Sequence, residues 1–141
     1  MDGDPGDGIY RAMLEEGGMP KLGASATTLG IRRGKDIVPD QAGLVHRPAF
    51  QPREKNGLSC SRTIDSLPLF ALPIEWGGRH AQTVVWCLAE EDLGPELVAQ
   101  DDAIPGRNLH ISIGPAYTMP FDTFVKAIEA TRPKWKVVLK N

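Results

Sequence analysis

Twelve prolines and 15 glycines are spread along this 141-residue chain instead of being collected in one linker. Proline lacks a backbone N–H and glycine permits turns that other residues avoid, so both tend to end helices and strands. Their distribution predicts short strands joined by long loops and argues against an all-helical bundle. Hydrophobic residues make up 41% of the chain, enough for one core at this length. We expect a single α+β domain over residues 9–141, preceded by a flexible acidic leader over residues 1–8.

The net charge, the N-terminal segment and the length of the apolar runs limit the class of protein. Sixteen Lys and Arg stand against 18 Asp and Glu, a net charge of −2, whereas nucleic-acid binders usually carry a basic excess. The opening MDGDPGDG is unlike a signal peptide, and no apolar run approaches the ~20 residues that span a bilayer. We therefore expect no dedicated nucleic-acid binding and no membrane segment. The expected location is the cytoplasm, or a recipient cytoplasm reached without a cleavable N-terminal signal.

Alternating and apolar patterns predict the strands. The segment over residues 83–89 is apolar at both parities, which is typical of a central strand covered on both faces. The segments over residues 9–14, 57–62 and 109–113 predict three further strands, and residues 135–139 predict a half-exposed closing strand. Residues 39–56 contain three prolines among polar residues and predict a long surface loop, a feature that is often functional.

One helix is predicted near the C-terminus. Thr118 is the expected N-cap, Pro120 falls in the first turn, and Pro133 is expected to stop the helix. A single apolar stripe at helical spacing is formed by Phe121, Phe124, Val125 and Ile128.

Polar residues inside the predicted strands are the candidates for chemistry. Arg11 lies between apolar neighbours, where its guanidinium could reach water past the core edge or bind phosphate or ribose oxygens. Ser59 and Ser61 share one face of their strand, and Cys60 points to the other as a small buried hydrophobe. His110 lies on the polar face of its strand, where a histidine satisfied by one backbone bond is the ordinary alternative. The histidines have no metal-ligand spacing, so no metal is expected.

Four segments together resemble a known family. They are IYRA near the start, RRGKDI before the proline-rich loop, GLSCSR, and LHISIGPAYTMPFDTFVKAIEATRPKW. In their order along the chain they are similar to the small NAD-dependent, ADP-ribosyltransferase-like toxins typified by a cytoplasm-acting effector of the type VI secretion system. The last segment is the most specific, since strand, histidine, Gly-Pro, Met-Pro and helix occur together.

The resemblance implies a split β-sheet core of short strands and an NAD-dependent activity. The family cleaves the nicotinamide glycosidic bond and transfers ADP-ribose to a macromolecule or to water. Ser59 and His110 fall at the implied catalytic positions, and Leu58 stands where the family offers a hydroxyl. The implied NAD contacts are Tyr10, Arg11, Arg32 or Arg33, and Ser61.

Three further expectations accompany this resemblance. Glu90 and Glu91, after the central strand, are candidates by location for the glutamate that many such transferases use. A proteinaceous inhibitor is the implied partner besides NAD. The alternatives are a non-catalytic protein–protein interaction module on the same fold, and a hydrolase that uses Cys60 and His110.

Overall fold

The computed structural model describes residues 8–48, 55–102 and 109–140. These residues form ten short strands, one α-helix and four single-turn 3₁₀ helices. The strands are β1 (Gly8–Met13), β2 (Glu15–Glu16), β3 (Met19–Pro20), β4 (Leu44–Val45), β5 (Leu58–Ser61), β6 (Val84–Ala89), β7 (Leu97–Asp101), β8 (His110–Pro115), β9 (Met119–Pro120) and β10 (Lys136–Val137). The helix is α1 (Phe121–Ala130), and the 3₁₀ helices are Ile64–Ser66, Ile74–Trp76, Glu90–Asp92 and Arg132–Lys134. The chain is thus a small single-domain α+β fold, mostly strands with one helix.

Six of the strands form one antiparallel sheet in the order β10-β6-β1-β5-β8-β7. The pairs β1–β6, β5–β8 and β7–β8 are continuous along their length. In contrast, β1 meets β5 in one register pair, Tyr10 with Ser61. The sheet therefore consists of two three-stranded halves that are joined at a single point.

The main core lies on one face of this sheet. Because side chains alternate along each strand, Ile9 and Trp86 point to the same face as Ile111. There they join a buried cluster with Phe124 and Ile128 of α1. The predicted apolar stripe of the helix is confirmed, because its other two members, Phe121 and Val125, pack against the same cluster.

A second apolar cluster covers part of the opposite face. Ala12 and Val85 are buried there against residues of the connection between β5 and β6, namely Leu67, Ala71 and Leu72. Strand β6 is thus covered on both faces, as its apolar sequence predicts, and it pairs with β1 on one side and β10 on the other.

The start of the helix differs from the prediction. Pro120, not Thr118, is the N-cap, and no side chain caps the first turn. Met119 and Pro120 pair instead with Leu44 and Val45 as β9 and β4. The hydroxyl of Thr118 lies 2.9 Å from Nδ1 of His46. The expected N-cap is therefore wrong, because a strand pair with the preceding loop holds the chain extended up to the first helical residue.

Several boundaries also differ. The helix ends at Ala130, and Pro133 lies in a 3₁₀ turn beyond it. The predicted loop over residues 39–56 contains β4, whose Val45 is fully buried, and its residues 49–54 lie outside the described residues. Of the expected leader, residues 1–7 lie outside the described residues and Gly8 already belongs to β1. Strand β7 was not predicted, and the closing strand shortens to Lys136–Val137.

Candidate functional site: a serine–histidine pair in a basic cleft

A cleft of about 600 Å³ lies beside the junction of the two half-sheets. Three candidate residues from separate strands line it together: Arg11 of β1, Ser59 of β5 and His110 of β8. The remaining lining residues come from the loop after β3 and from two other connections: Ala26, Arg32, Gly34, Lys35, Asp36, Lys55 and Phe70. The sequence candidates therefore share one cavity although they are far apart in the chain.

Strand register brings Ser59 and His110 into contact. Ser59 pairs with Ser112, and Ser61 pairs with His110, so Ser59 and His110 are diagonal neighbours on one face. The Oγ of Ser59 lies 2.7 Å from Nε2 of His110. Gly57 fixes the entry to β5, because a Cβ at this position would collide with the main-chain carbonyl of Ile113. Its φ of +136° is also one that side-chain-bearing residues rarely adopt.

The other ring nitrogen determines the direction of that hydrogen bond. Nδ1 of His110 lies 3.0 Å from the main-chain carbonyl oxygen of Asp102. A carbonyl oxygen can accept but not donate, so Nδ1 carries the proton in this bond. In the neutral ring Nε2 is then the acceptor, and the hydroxyl of Ser59 donates to it. His110 itself is 3% exposed, whereas Ser59 is partly exposed at the cleft.

Asp102 is a site residue that the sequence analysis missed. Its side chain is buried, and Oδ2 accepts hydrogen bonds from Ser112 Oγ at 2.8 Å and Asn56 Nδ2 at 3.1 Å. The same oxygen lies 3.9 Å from Nδ1 of His110. The side chain of the preceding residue, Asp101, is by contrast 78% exposed at the end of β7.

A signal for Asp102 is present in the sequence. The apolar residues of LVAQDD begin a strand, and in an antiparallel pair with β8 its even-numbered positions share a face with His110. Gln100 pairs with Ser112, and the N–H of Asp102 then donates to the carbonyl of His110 at 3.0 Å. Recognising β7 as a strand would have placed this carboxylate next to the histidine.

Arg11 is deeply buried, with 5% of its surface exposed. Its guanidinium donates to three main-chain carbonyls, those of Ser59 at 2.7 Å, Thr28 at 2.8 Å and Ser25 at 3.1 Å. Burial lowers the pKa of Arg11 from its ordinary value, because desolvation penalises the charged form. Of the two alternatives for Arg11, the guanidinium that reaches water is contradicted by this burial. Arg11 instead ties β1 to β5 and to the 25–28 turn while placing positive charge in the cleft wall.

The two adjacent arginines that the sequence left open lie in different surroundings. Arg32 lines the cleft and binds Asp36, with Nη2 2.8 Å from Oδ1 and the main-chain N–H 2.7 Å from Oδ2. Arg33 lies over the ring of Phe121, 5.0 Å from its centroid, and is not among the cleft residues. Among the described lining residues, four cations (Arg11, Arg32, Lys35 and Lys55) thus face one carboxylate, Asp36.

Tyr10 and Ser61 do not line this cleft. Tyr10 belongs to a smaller pocket of about 250 Å³ with Trp76 and the residues 63–65. Ser61 is fully buried, and its Oγ has no hydrogen-bond partner among the residues that the structure describes. Both expected NAD contacts therefore lie outside the cavity that holds Ser59 and His110.

The expected glutamates and the cysteine also lie elsewhere. Glu90 pairs with Arg62 at 3.0 Å, and neither Glu90 nor Glu91 lines the cleft. Cys60 is 1% exposed within the main core, on the face of β5 opposite His110. This placement removes the geometric basis for a Cys60–His110 hydrolase.

Within the described parts of the chain, no cluster of three His, Cys, Asp or Glu side chains is arranged to hold a metal ion. The same residues include no helix that is long and apolar enough to cross a lipid bilayer. Comparisons of the chain with protein-family models, with curated proteins and with solved structures found no match.

Proposed function

We propose that the cleft binds NAD and that the protein is an ADP-ribosyltransferase-like enzyme of the toxin class its sequence resembles. The observation that carries this proposal is the meeting of Ser59 and His110 in a cleft with a cationic lining. A volume of about 600 Å³ lies in the range of small-molecule sites. The ADP-ribosyltransferase type of the split sheet is part of the same proposal.

The charges of the cleft suit the pyrophosphate of a dinucleotide. Lys35 and Lys55 are exposed and line the cavity together with Arg32. Cations that are already held in place bind phosphate oxygens well, and Asp36 orients the Arg32 fork. Phe70, which is 59% exposed, offers a ring on which a base of the dinucleotide can stack.

At the reacting end, the Ser59–His110 pair would position the nicotinamide ribose. A ribose hydroxyl in the cleft could replace one partner of the existing hydrogen bond, because Ser59 and His110 both line the cleft. Orienting the ribose in this way favours departure of neutral nicotinamide and leaves an oxocarbenium-like sugar. ADP-ribose would then pass to a macromolecular target or to water.

One observation favours the alternative of a non-catalytic interaction module. Transferases of this kind use a carboxylate near the developing positive charge, whereas Asp36, the carboxylate among the described lining residues, is engaged by Arg32. Such a module would keep the fold and the cationic cleft without cleaving NAD. The two functions differ in whether nicotinamide is released.

Calorimetric titration with NAD tests the proposal. Wild-type protein should bind saturably, and Ser59→Ala and His110→Ala should weaken binding by at least about tenfold, as expected for the loss of a hydrogen bond to ligand. Lys35→Ala should also weaken binding, while Lys21→Ala, which makes the same charge change outside the cleft, should not. Absence of heat in the wild type would contradict the proposal.

A second measurement separates enzyme from module. Release of nicotinamide from NAD, followed by chromatography, should occur with the wild type and disappear in Ser59→Ala. If NAD binds and no nicotinamide appears with cell lysate present as acceptor, the interaction module is supported. As a toxin, the protein should also arrest growth when it is expressed in a cytoplasm that lacks its inhibitor.

A further inference from the structure

The polarity of the hydrogen bonds around His110 points to chemistry that does not need a dinucleotide. In the neutral ring, the hydroxyl of Ser59 donates to Nε2 at 2.7 Å, and Nδ1 donates to the Asp102 carbonyl at 3.0 Å. A hydroxyl that donates to an oriented, neutral imidazole is the arrangement of an activated nucleophile. We propose that Ser59 is such a nucleophile and that the cleft hydrolyses small anionic esters through an acyl-serine intermediate.

The surroundings of His110 stabilise the charge that forms when it takes the serine proton. The carboxylate of Asp102 lies 3.9 Å from Nδ1, and Ser112 and Asn56 hold that carboxylate by hydrogen bonds of 2.8 and 3.1 Å. The main-chain carbonyl of Asp102 accepts a hydrogen bond from Nδ1–H whether the ring is neutral or protonated. Because Asp102 is 2% exposed and His110 is 3% exposed, water weakens these interactions little.

The main chain of the nucleophile is held as well. Arg11 donates to the carbonyl of Ser59 at 2.7 Å, and the strand pair with Ser112 fixes the other edge of β5. The serine is partly exposed and lines the cleft, so an ester in the cleft can reach its oxygen. A fixed nucleophile next to a fixed base removes much of the entropy cost of the attack.

The reaction balances without a cofactor. Oγ of Ser59 attacks the ester carbonyl carbon while its proton moves to Nε2 of His110. The bond from that carbon to the leaving alcohol oxygen then breaks, and His110 returns the proton to that oxygen. A water molecule repeats the sequence on the acyl-serine, releasing a carboxylic acid and restoring the serine. Negative charge on the carbonyl oxygen develops in a cleft whose described lining carries four cations against one carboxylate.

The same cations define the substrate class. Lys35 and Lys55 are exposed, and Arg32 is fixed by Asp36, so an ester that carries a carboxylate or phosphate should be preferred over a neutral one. A comparison of 4-nitrophenyl hemisuccinate with 4-nitrophenyl acetate measures this preference.

Covalent labelling of the wild-type protein is the primary test. Phenylmethylsulfonyl fluoride should form one adduct, and peptide mapping by mass spectrometry should place it on Ser59. Ser59→Ala should abolish the adduct, and His110→Gln should slow its formation by at least about 100-fold, the loss expected for a general base. Ser61→Ala is the matched control on the same strand and should label at the wild-type rate, because Ser61 does not line the cleft.

Ester turnover completes the test. The wild type should release 4-nitrophenol from the hemisuccinate faster than from the acetate, and Ser59→Ala should release it from neither. An absence of adduct on Ser59 in the wild type would overturn the proposal, as would equal labelling of wild type and His110→Gln. Neither assay contains NAD, so the two proposals can fail separately. Labelling of Ser59 without NAD binding would contradict only the proposed function. NAD binding without labelling of Ser59 would contradict only the esterase proposal.

Discussion

Nη1 of Arg11 lies 2.7 Å from the main-chain oxygen of Ser59 and donates a hydrogen bond to it. This contact bridges β1 and β5 next to Tyr10–Ser61, the one register pair that joins the two half-sheets. The same guanidinium binds the carbonyls of Ser25 and Thr28. A buried cation therefore holds the two halves and an adjacent turn together at the point where the cleft lies.

This arrangement predicts that Arg11 matters more for stability than other arginines do. Arg11→Lys should lower the free energy of unfolding by about 3 kcal/mol, because an ammonium cannot reach three divergent carbonyls and leaves buried acceptors without donors. Urea unfolding measures the change. Arg33→Lys, which alters a ring contact with Phe121, should cost less than about 1 kcal/mol. Equal losses in both variants would refute the structural role of Arg11.

Two serines on the same face should respond oppositely to replacement by alanine. Ser112 Oγ donates to the buried Asp102 carboxylate, so Ser112→Ala should cost about 1–2 kcal/mol. Ser61 Oγ is buried with no hydrogen-bond partner among the described residues, so Ser61→Ala should leave stability within about 0.5 kcal/mol or raise it. Chemical denaturation of both variants decides the matter. A larger loss from Ser61→Ala would contradict the hydrogen-bond network described for Asp102.

A pH-dependent contribution to stability is expected at Asp40. Its pKa is lowered by hydrogen bonds from the Leu44 N–H, the His46 ring and the Ala42 N–H. A carboxyl with a lowered folded-state pKa stabilises the fold above its unfolded value of about 4, and this contribution is lost as the pH falls through the folded-state pKa. Asp40→Asn should thus melt below the wild type at neutral pH, and the two melting curves should converge in acid. A difference that persists unchanged to low pH would argue against this set of contacts.

The two thiols should resist modification in the native state. Cys60 is 1% exposed in the main core, and burial raises the pKa of the Cys87 thiol. Native protein at about pH 8 should therefore react slowly with iodoacetamide, and both cysteines should react in urea. Rapid native labelling of Cys60 would return a Cys–His hydrolase to consideration.

The parts of the fold that sequence predicted well are those with strong periodicity. Strands β1, β5 and β8 and the stripe of α1 appear where alternation or helical spacing indicated them, because burial of one face enforces that spacing. Strand β6 appears where an apolar run at both parities indicated it, because both of its faces are covered. The errors fall where long-range pairing decides local structure. Thr118 is not the N-cap because β9 pairs with β4 and stays extended up to the helix, and no local sequence signal shows that pairing.

The residues of the candidate site show the same difference between local sequence patterns and long-range pairing. The sequence indicated on which face of its strand each of Ser59 and His110 lies. It did not indicate that the two strands, β5 and β8, are neighbours in the sheet, and this pairing brings the two side chains together. Asp102 was missed because β7 is short and polar at its end, and its burial comes from pairing with β8. Arg32 and Arg33 could not be separated from sequence, since the turn that sends one to the cleft and the other to Phe121 is set by Asp36.

The proposed function requires the cleft to be a dinucleotide site. A crystal structure of the protein with NAD at saturating concentration tests that claim directly. We predict pyrophosphate density against Arg32, Lys35 and Lys55, with the nicotinamide ribose within hydrogen-bond distance of Ser59 Oγ. A cleft that stays empty under those conditions, or NAD bound at another surface, would contradict the account.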